Sequence, residues 1–305
     1  MNKIKIANTD LNVSEISLGC MRMASLPVKE AAAAVNTALE EGIDFFDHAD
    51  IYGGGKSEEV FAQAIDMKPG IREKIILQTK CGIKQGYWDF SKKHILDAVD
   101  GSLKRLKTDY IDVLLLHRPD ALVEPEEVAE AFTKLQDSGK VKYFGVSNQN
   151  PMQIELLSRY VKQKLVINQL QLSITNTGMI DAGINVNMKI DASIDRDNSI
   201  LDYCRLKDIT IQAWSPFQYG FFEGVFLDND KFPELNNKID EMVKLKGVPN
   251  TAIAIAWILR HPAKIQPIVG TMNASRIKDI CKASDIKLSR PEWYEIYRAA
   301  GNKLP

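Results

Sequence analysis

The 305-residue sequence predicts an α/β protein: a closed (β/α)8 TIM barrel with a short N-terminal β-hairpin, in one domain covering 1–305. Three observations predict it. Apolar stretches, most of four to six residues, recur along the whole chain; each is followed by a segment of helical periodicity; and eight such units fit within about 290 residues. Strands apolar throughout are buried on both faces, as in a parallel sheet covered by helices. Eight of them in this length imply closure. An open doubly wound sheet is the alternative, but no glycine fingerprint follows the first strand.

The elements follow in order. The hairpin occupies 3–13 and turns at Asn8-Thr-Asp10, and strand one is the stretch 15–18 before Gly19. Val28, Ala31, Ala32, Val35, Ala38 and Leu39 share one face at i, i+3, i+4 spacing and define the first helix. Strand two (43–46) leads to a helix over 57–65, and strand three (74–77) to one marked by Ile95, Ala98, Val99, Leu103 and Leu106. Strand four (111–116) precedes a helix through Val128, Ala131, Phe132 and Leu135. Strand five (141–146) precedes one opened by Pro151, which suits a first helical turn. Strands six to eight are 165–167, 209–213 and 265–269. Helices at about 198–207, 234–260 (broken near Gly247-Val-Pro249) and 273–284 accompany them. The 172–198 connection exceeds a typical loop and is expected to hold local structure of its own.

Composition narrows the function. Hydrophobic residues make up 45% and charged residues 26%, the proportions of a globular protein. With 39 Lys+Arg against 40 Asp+Glu there is no basic field for nucleic acid. The longest apolar run, 251–259, is about half a membrane span, and the first ten residues lack the apolar core of a signal peptide. Cys20, Cys81, Cys204 and Cys281 lie far apart and read as reduced thiols of a cytoplasmic protein. The four histidines show no metal-ligand spacing, so no metal is expected. Gly53-Gly-Gly-Lys-Ser57 resembles the tail of a phosphate loop, but the leading glycine of that motif would fall at Asp50.

A barrel of this kind places its chemistry where strands end. Strand two runs into Asp47 and then Tyr52; strand three ends at Lys80, strand four at His117, strand five at Ser147-Asn148. Strand six ends at Asn168-Gln169, strand seven at Trp214-Ser215, strand eight at Gly270-Thr271. Seven consecutive strands thus end in polar or aromatic groups. A phenol is a poor proton donor at neutral pH, and a neighbouring ammonium lowers its pKa. Lys80 could supply that charge, Asp47 could hold Lys80 in place, and His117 could donate to a carbonyl oxygen. Such a set suits protonation of an oxygen that gains negative charge as hydride reaches its carbon. No side chain supplies a hydride, so a nicotinamide cofactor is implied.

These residues carry a resemblance. Gly42-Ile-Asp-Phe-Phe-Asp47-His-Ala-Asp-Ile-Tyr52-Gly, Gln78-Thr-Lys80, Leu114-Leu-Leu-His117-Arg-Pro, Gly145-Val-Ser147-Asn148, Ala213-Trp-Ser215-Pro and Arg276 look like the aldo-keto reductases. The opening Leu18-Gly-Cys-Met-Arg22 is similar to that family's first strand, and the match keeps motif order from about residue 3 to 300. His48-Ala-Asp-Ile-Tyr-Gly53 and His117-Arg-Pro-Asp120 look most like a bacterial subgroup of oxidoreductases.

The resemblance implies that Tyr52 is the proton donor, tuned by Lys80 and Asp47, with His117 orienting the carbonyl. It implies that Ser147, Asn148 and Gln169 bind a carboxamide, that Trp214 stacks on the nicotinamide, and that Ser215, Gly270 and Thr271 line the pyrophosphate and ribose track. Core packing is the other role open to Trp214. Arg276 suits a 2′-phosphate, which favours NADPH, although a solvated helix charge is the alternative. Asp279-Ile280 stands where the family often has Glu-Asn, and Gly270 where some branches have lysine, so the adenine end departs from the pattern.

The function implied is NADPH-dependent reduction of aldehydes or ketones, of the alcohol dehydrogenase type that acts on CH–OH. Its partner is a small-molecule carbonyl compound; oligomeric state is left open. Two alternatives stand beside it: a nicotinamide-binding regulatory subunit with little turnover, and a barrel lyase using Lys80 as a Schiff-base amine. Three long connections, 82–89, 172–198 and 217–232, are expected to shape the pocket, with Trp88 and Arg118 as candidate substrate contacts. Arg118 could instead pair with Asp120.

Overall fold

A computed structural model describes residues 1–68 and 70–305. Its centre is a closed parallel barrel of eight strands: β1 (Ser17–Gly19), β2 (Phe45–Asp47), β3 (Ile76–Cys81), β4 (Ile111–Leu116), β5 (Val141–Ser147), β6 (Leu165–Gln171), β7 (Thr210–Trp214) and β8 (Gln266–Val269). Each pairs with the next in chain order, and β8 closes on β1 through Ile268↔Ser17 and Val269↔Leu18. Several strands run further than hydrophobicity alone indicates. Strand β3 continues through Gln78, Thr79 and Lys80, all buried, because backbone pairing with β4 does not depend on apolar side chains.

The N-terminal hairpin, Lys3–Lys5 with Asn12–Ser14, plugs one end. The Ala7 N–H donates to Thr210 Oγ1 (2.8 Å) at the start of β7, which sets the hairpin at the N-terminal ends of the strands. Ile6, Leu11 and Val13 pack there against Phe45, Val113, Leu115 and Ile167 from the barrel lumen. This apolar floor leaves the opposite mouth as the open end. The larger core lies between strands and helices, where Phe46, Leu77, Leu114 and Phe144 face outward onto the helical ring.

Local sequence explains the helix ends. Asn150 and Gln153 form a reciprocal capping box before Pro151–Tyr160, with proline in the first turn. The expected break in the long helix is real: Pro233–Lys246 ends at Gly247, whose φ of +69 few other residues adopt, and Asn250–Leu259 departs at 94°. Among the described residues no single helix is long and apolar enough to cross a membrane.

Three features add to the sequence reading. Within 172–198 lie a helix, Gly178–Ile184, and a 3-10 turn, Asp191–Ser193. The 217–232 connection forms a small hairpin, Gln218–Tyr219 with Gly224–Val225. A further helix, Arg290–Ala299, follows the barrel. It starts at a Ser289–Glu292 capping box, a signal present in the sequence. It docks through Trp293, stacked on Trp257 with centroids 4.6 Å apart and planes 8° from parallel. Each indole N–H donates to the other residue's backbone carbonyl, at 3.1 and 2.9 Å, so neither buried donor is orphaned.

Candidate active site

A cavity of about 870 Å³ opens at the C-terminal mouth of the barrel. Asp47, Tyr52, His117 and Arg118 line it, as do Ser147, Asn148, Gln169 and Trp214, and then Ser215, Gly270, Thr271 and Arg276. Lys80 lies directly beneath. Trp88 does not line the cavity: it is half exposed and bridges to Ile83 in its own loop, so the expectation that it shapes the pocket is not met.

Tyr52 reaches the cavity through a tight turn. The Gly54 N–H donates to the Ile51 carbonyl (2.9 Å), and Gly53, Gly54 and Gly55 all have positive φ. At Gly53 a Cβ would come within 2.3 Å of Ala24 Cβ, so both conformation and space require glycine there. The run that resembles a phosphate loop is therefore the turn that presents Tyr52.

Strand β2 delivers Asp47 and β3 delivers Lys80, side by side inside the barrel. The fully buried Lys80 Nζ donates to Asp47 Oδ2 (2.8 Å), the His48 carbonyl (2.7 Å) and Tyr52 Oη (3.1 Å). An ammonium has three N–H groups, and all three are engaged. Burial alone would discharge it, but Asp47 and Tyr52 hold its pKa above the ordinary lysine value. Since Lys80 donates, Tyr52 Oη accepts, and the phenol hydrogen is free to point elsewhere.

One sequence expectation is corrected here. Burial pushes the Tyr52 pKa above the ordinary tyrosine value, and the opposing pull of Lys80 does not overcome it. The phenol thus stays protonated through neutral pH. The Lys80 ammonium, donating to Tyr52 Oη, would stabilise a phenolate there, a charge that does not exist in the resting site.

His117, just past β4, stands edge-on to Tyr52, with ring centroids 5.9 Å apart. Burial, helped by Lys80 and Arg118, holds its pKa well below the usual histidine value. A neutral imidazole keeps one N–H to donate to an oxygen. Its Nδ1 is buried without a partner, so the ring is not committed to a neighbour there. His48 faces the other way: it packs on Phe61 at 4.6 Å, and burial and Lys80 hold its pKa down to about 3.

The pairing of Arg118 with Asp120 does not form. Asp120 accepts from the backbone N–H of Phe90 (3.0 Å) and Leu122 (2.8 Å). The Arg118 guanidinium lies over Trp214 (5.5 Å) and Phe221 (5.9 Å), and burial lowers its pKa from the ordinary arginine value.

From this end a groove runs along the strand ends. The Trp214 indole N–H donates to Asn148 Oδ1 (3.1 Å), Asn148 Nδ2 to Ser147 Oγ (2.7 Å), and Ser147 Oγ to the Gln169 carbonyl (3.1 Å). Phe222 stacks near Trp214 at 5.8 Å. Asn148 and Ser215 have φ of +55 and +53, left-handed backbone that residues with side chains adopt at some strain. The groove ends at the helix Ala274–Cys281, capped by Asn273 Oδ1, which accepts from the Arg276 N–H (3.0 Å).

Sequence reasoning missed Arg22. It lines the cavity beside the groove and donates through Nη1 to the Gly270 carbonyl (2.9 Å). The signal was its place: strand one was the single strand to which no polar group had been assigned.

A buried set of ionisable groups thus opens onto a long groove of mixed polar and apolar lining whose far end carries an arginine at a helix start. Residues 15–300 match the model described as the Aldo/keto reductase family, and the chain belongs to that family. It is 38% identical to the uncharacterized oxidoreductase YcsN of Bacillus subtilis, an alignment covering 100% of each. It is 35% identical to a 6-dehydroglucose reductase of Agrobacterium fabrum, over 98% of each. Among solved structures, an aldo/keto reductase of Klebsiella pneumoniae in complex with NADP and acetate aligns with a TM-score of 0.77. That alignment covers 99% of this chain and 97% of that one at 24% identity, a likeness of fold.

Proposed function

We propose that the protein is an NADPH-dependent reductase of aldehydes or ketones, a single catalytic barrel in which Tyr52 donates the proton. One observation carries the reading: all three hydrogens of Lys80 are engaged, so the hydrogen of Tyr52 is left to be given to a ligand in the cavity. Reduced nicotinamide, when bound, supplies the hydride. The chain's own part is to set a carbonyl oxygen between Tyr52 and His117, to stabilise with Lys80 the phenolate that the transferred proton leaves on Tyr52, and to keep water from the pair.

The groove supports the cofactor assignment. Ser147, Asn148 and Gln169 offer polar atoms to a carboxamide, and Trp214 an apolar face to a ring. Ser215, Gly270 and Thr271 border a path of the right sense for a dinucleotide, and Arg276 at its end suits a 2′-phosphate. Arg118 and the aromatic Phe222 bound the remaining space, which favours a carbonyl compound with a polar or anionic substituent. The Agrobacterium relative, named for 6-dehydroglucose, is in keeping with a polar substrate.

The same geometry argues against Lys80 as a Schiff-base amine, because a nucleophilic amine needs a free lone pair and access. Titration with NADPH and NADH followed by tryptophan fluorescence, then a carbonyl screen, tests the proposal. NADPH is expected to bind more tightly, and Tyr52→Phe to bind it unchanged while kcat falls roughly 100- to 10,000-fold. Unchanged reduction by Tyr52→Phe would overturn it.

A further inference from the structure

Four glutamines face the barrel lumen from strands that otherwise read as apolar. They are Gln78 on β3, Gln169 on β6, Gln212 on β7 and Gln266 on β8, and all are buried. Gln169, Gln212 and Gln266 are register partners on adjacent strands, and Gln78 is the register partner of Asp47. A buried amide is costly unless its donors and acceptors are met, so four at one level require a reason.

Their hydrogen bonds form one directional chain. Asp47 Oδ1 can only accept, so the atoms beside it are the Nε2 groups of Gln78 (2.5 Å) and Gln169 (3.1 Å). Those same two nitrogens lie 2.8 and 3.1 Å from one atom of Gln212, which must then be its Oε1. That turns Gln212 Nε2 toward Gln266 Oε1 (2.8 Å), and Gln266 Nε2 toward the Ser14 carbonyl (2.7 Å). A backbone carbonyl is again an acceptor only, so both ends of the chain demand the same orientation of every amide between them. Reversing any one amide sets oxygen against oxygen or nitrogen against nitrogen. Asp47 Oδ2 is left for Lys80.

We propose that Gln212 and Gln266, which do not line the cavity, are positioning residues that act with Asp47 to hold the orientation of the Gln169 amide, and with it the atom offered to the cofactor. Gln169 spends its Nε2 inward on Asp47 and Gln212. Only Oε1 remains for the cavity, so Gln169 acts there as an acceptor and selects a ligand that presents an N–H. On the proposed function, on which this inference rests, that N–H belongs to the carboxamide of the nicotinamide.

The test compares binding of NADP+ with its 3-acetylpyridine analogue, which keeps the carbonyl and lacks the N–H. Affinities are read by tryptophan fluorescence, without turnover. The wild-type chain is expected to prefer NADP+ by about tenfold. Gln212→Leu removes one of the two acceptors on Gln169 Nε2 and leaves only the 3.1 Å contact with Asp47 Oδ1, so the hold on the amide weakens and the preference should fall to about threefold. Gln266→Leu breaks the chain one step further from the site. It should reduce the preference part-way, and it serves as the test if Gln212→Leu does not fold. A merely structural role for the glutamines would weaken both ligands equally and leave their ratio unchanged, and that result would overturn the inference. Equal binding of the two ligands by the wild-type chain would overturn it as well. Failure to bind either would instead count against the proposed function.

Discussion

Lys80 donates a hydrogen bond to Tyr52 at 3.1 Å while buried out of contact with solvent. The direction matters more than the distance. A charged donor on the phenol oxygen stabilises that oxygen best once it carries a negative charge, so the interaction strengthens as the proton departs. Burial keeps the phenol protonated beforehand, so on the proposed function the charge that Lys80 stabilises would arise only as the proton is given up.

Removing the cation tests this arrangement. Lys80→Met leaves Asp47 buried with amide donors but no counter-charge, and is expected to lower stability by about 3–5 kcal/mol in urea unfolding. Adding Asp47→Asn should return part of that loss. Turnover should stay low in both, since neither can stabilise a phenolate.

Arg276 sits in the first turn of its helix with an exposed side chain. Arg276→Leu is expected to raise KM for NADPH about 10- to 100-fold and to leave KM for NADH within about twofold. Steady-state kinetics with both cofactors check this; equal effects on the two would remove the 2′-phosphate assignment.

Arg118 lies over aromatic rings and, among the described residues, forms no ion pair. Arg118→Leu should lower kcat/KM for a carboxylate-bearing aldehyde by about tenfold, mainly through KM, and change that for a neutral aldehyde of similar size much less. Paired aldehyde assays on the two proteins give the comparison.

Asp50 supplies a pH test away from the reacting atoms. Burial, with the Glu58 carboxylate nearby, pushes its pKa up to about 6. A raised folded-state pKa gives stability that is complete below the unfolded value near 4 and lost as pH rises through about 6. Asp50→Asn mimics the protonated form, so it should match the wild type at pH 4 and exceed it above pH 7, by up to about 3 kcal/mol. His48 acts in the opposite sense. Its pKa is held near 3, so its contribution is present above the unfolded value of 6.5 and lost as pH falls toward 3, in both proteins alike.

The barrel was legible because its strands are short and apolar and its polar residues fall where strands end. Lys80, His117 and Trp214 were found by that position alone. What the pattern could not supply was anything set by three-dimensional enclosure. Tyr52 was expected to be more acidic than a free phenol, but the depth of its burial has no counterpart in spacing. Gln212 and Gln266 passed as ordinary strand residues, since the partners that make them informative lie on other strands. Arg22 was overlooked because its contact with Gly270 spans nearly the whole chain. The helix Arg290–Ala299 was the avoidable omission: Ser289 and Glu292 announce it locally.

Trp257 and Trp293 carry a practical consequence. Two indoles in contact couple their excited states, and where their transition dipoles are skewed within the stacked planes the result is a paired circular dichroism band that solitary indoles lack. Because one ring belongs to the terminal helix and the other to the helix before the last strand, that band reports their docking and nothing at the catalytic mouth. Loss of the docked terminus could therefore be told apart from loss of ligand binding in a single optical cell.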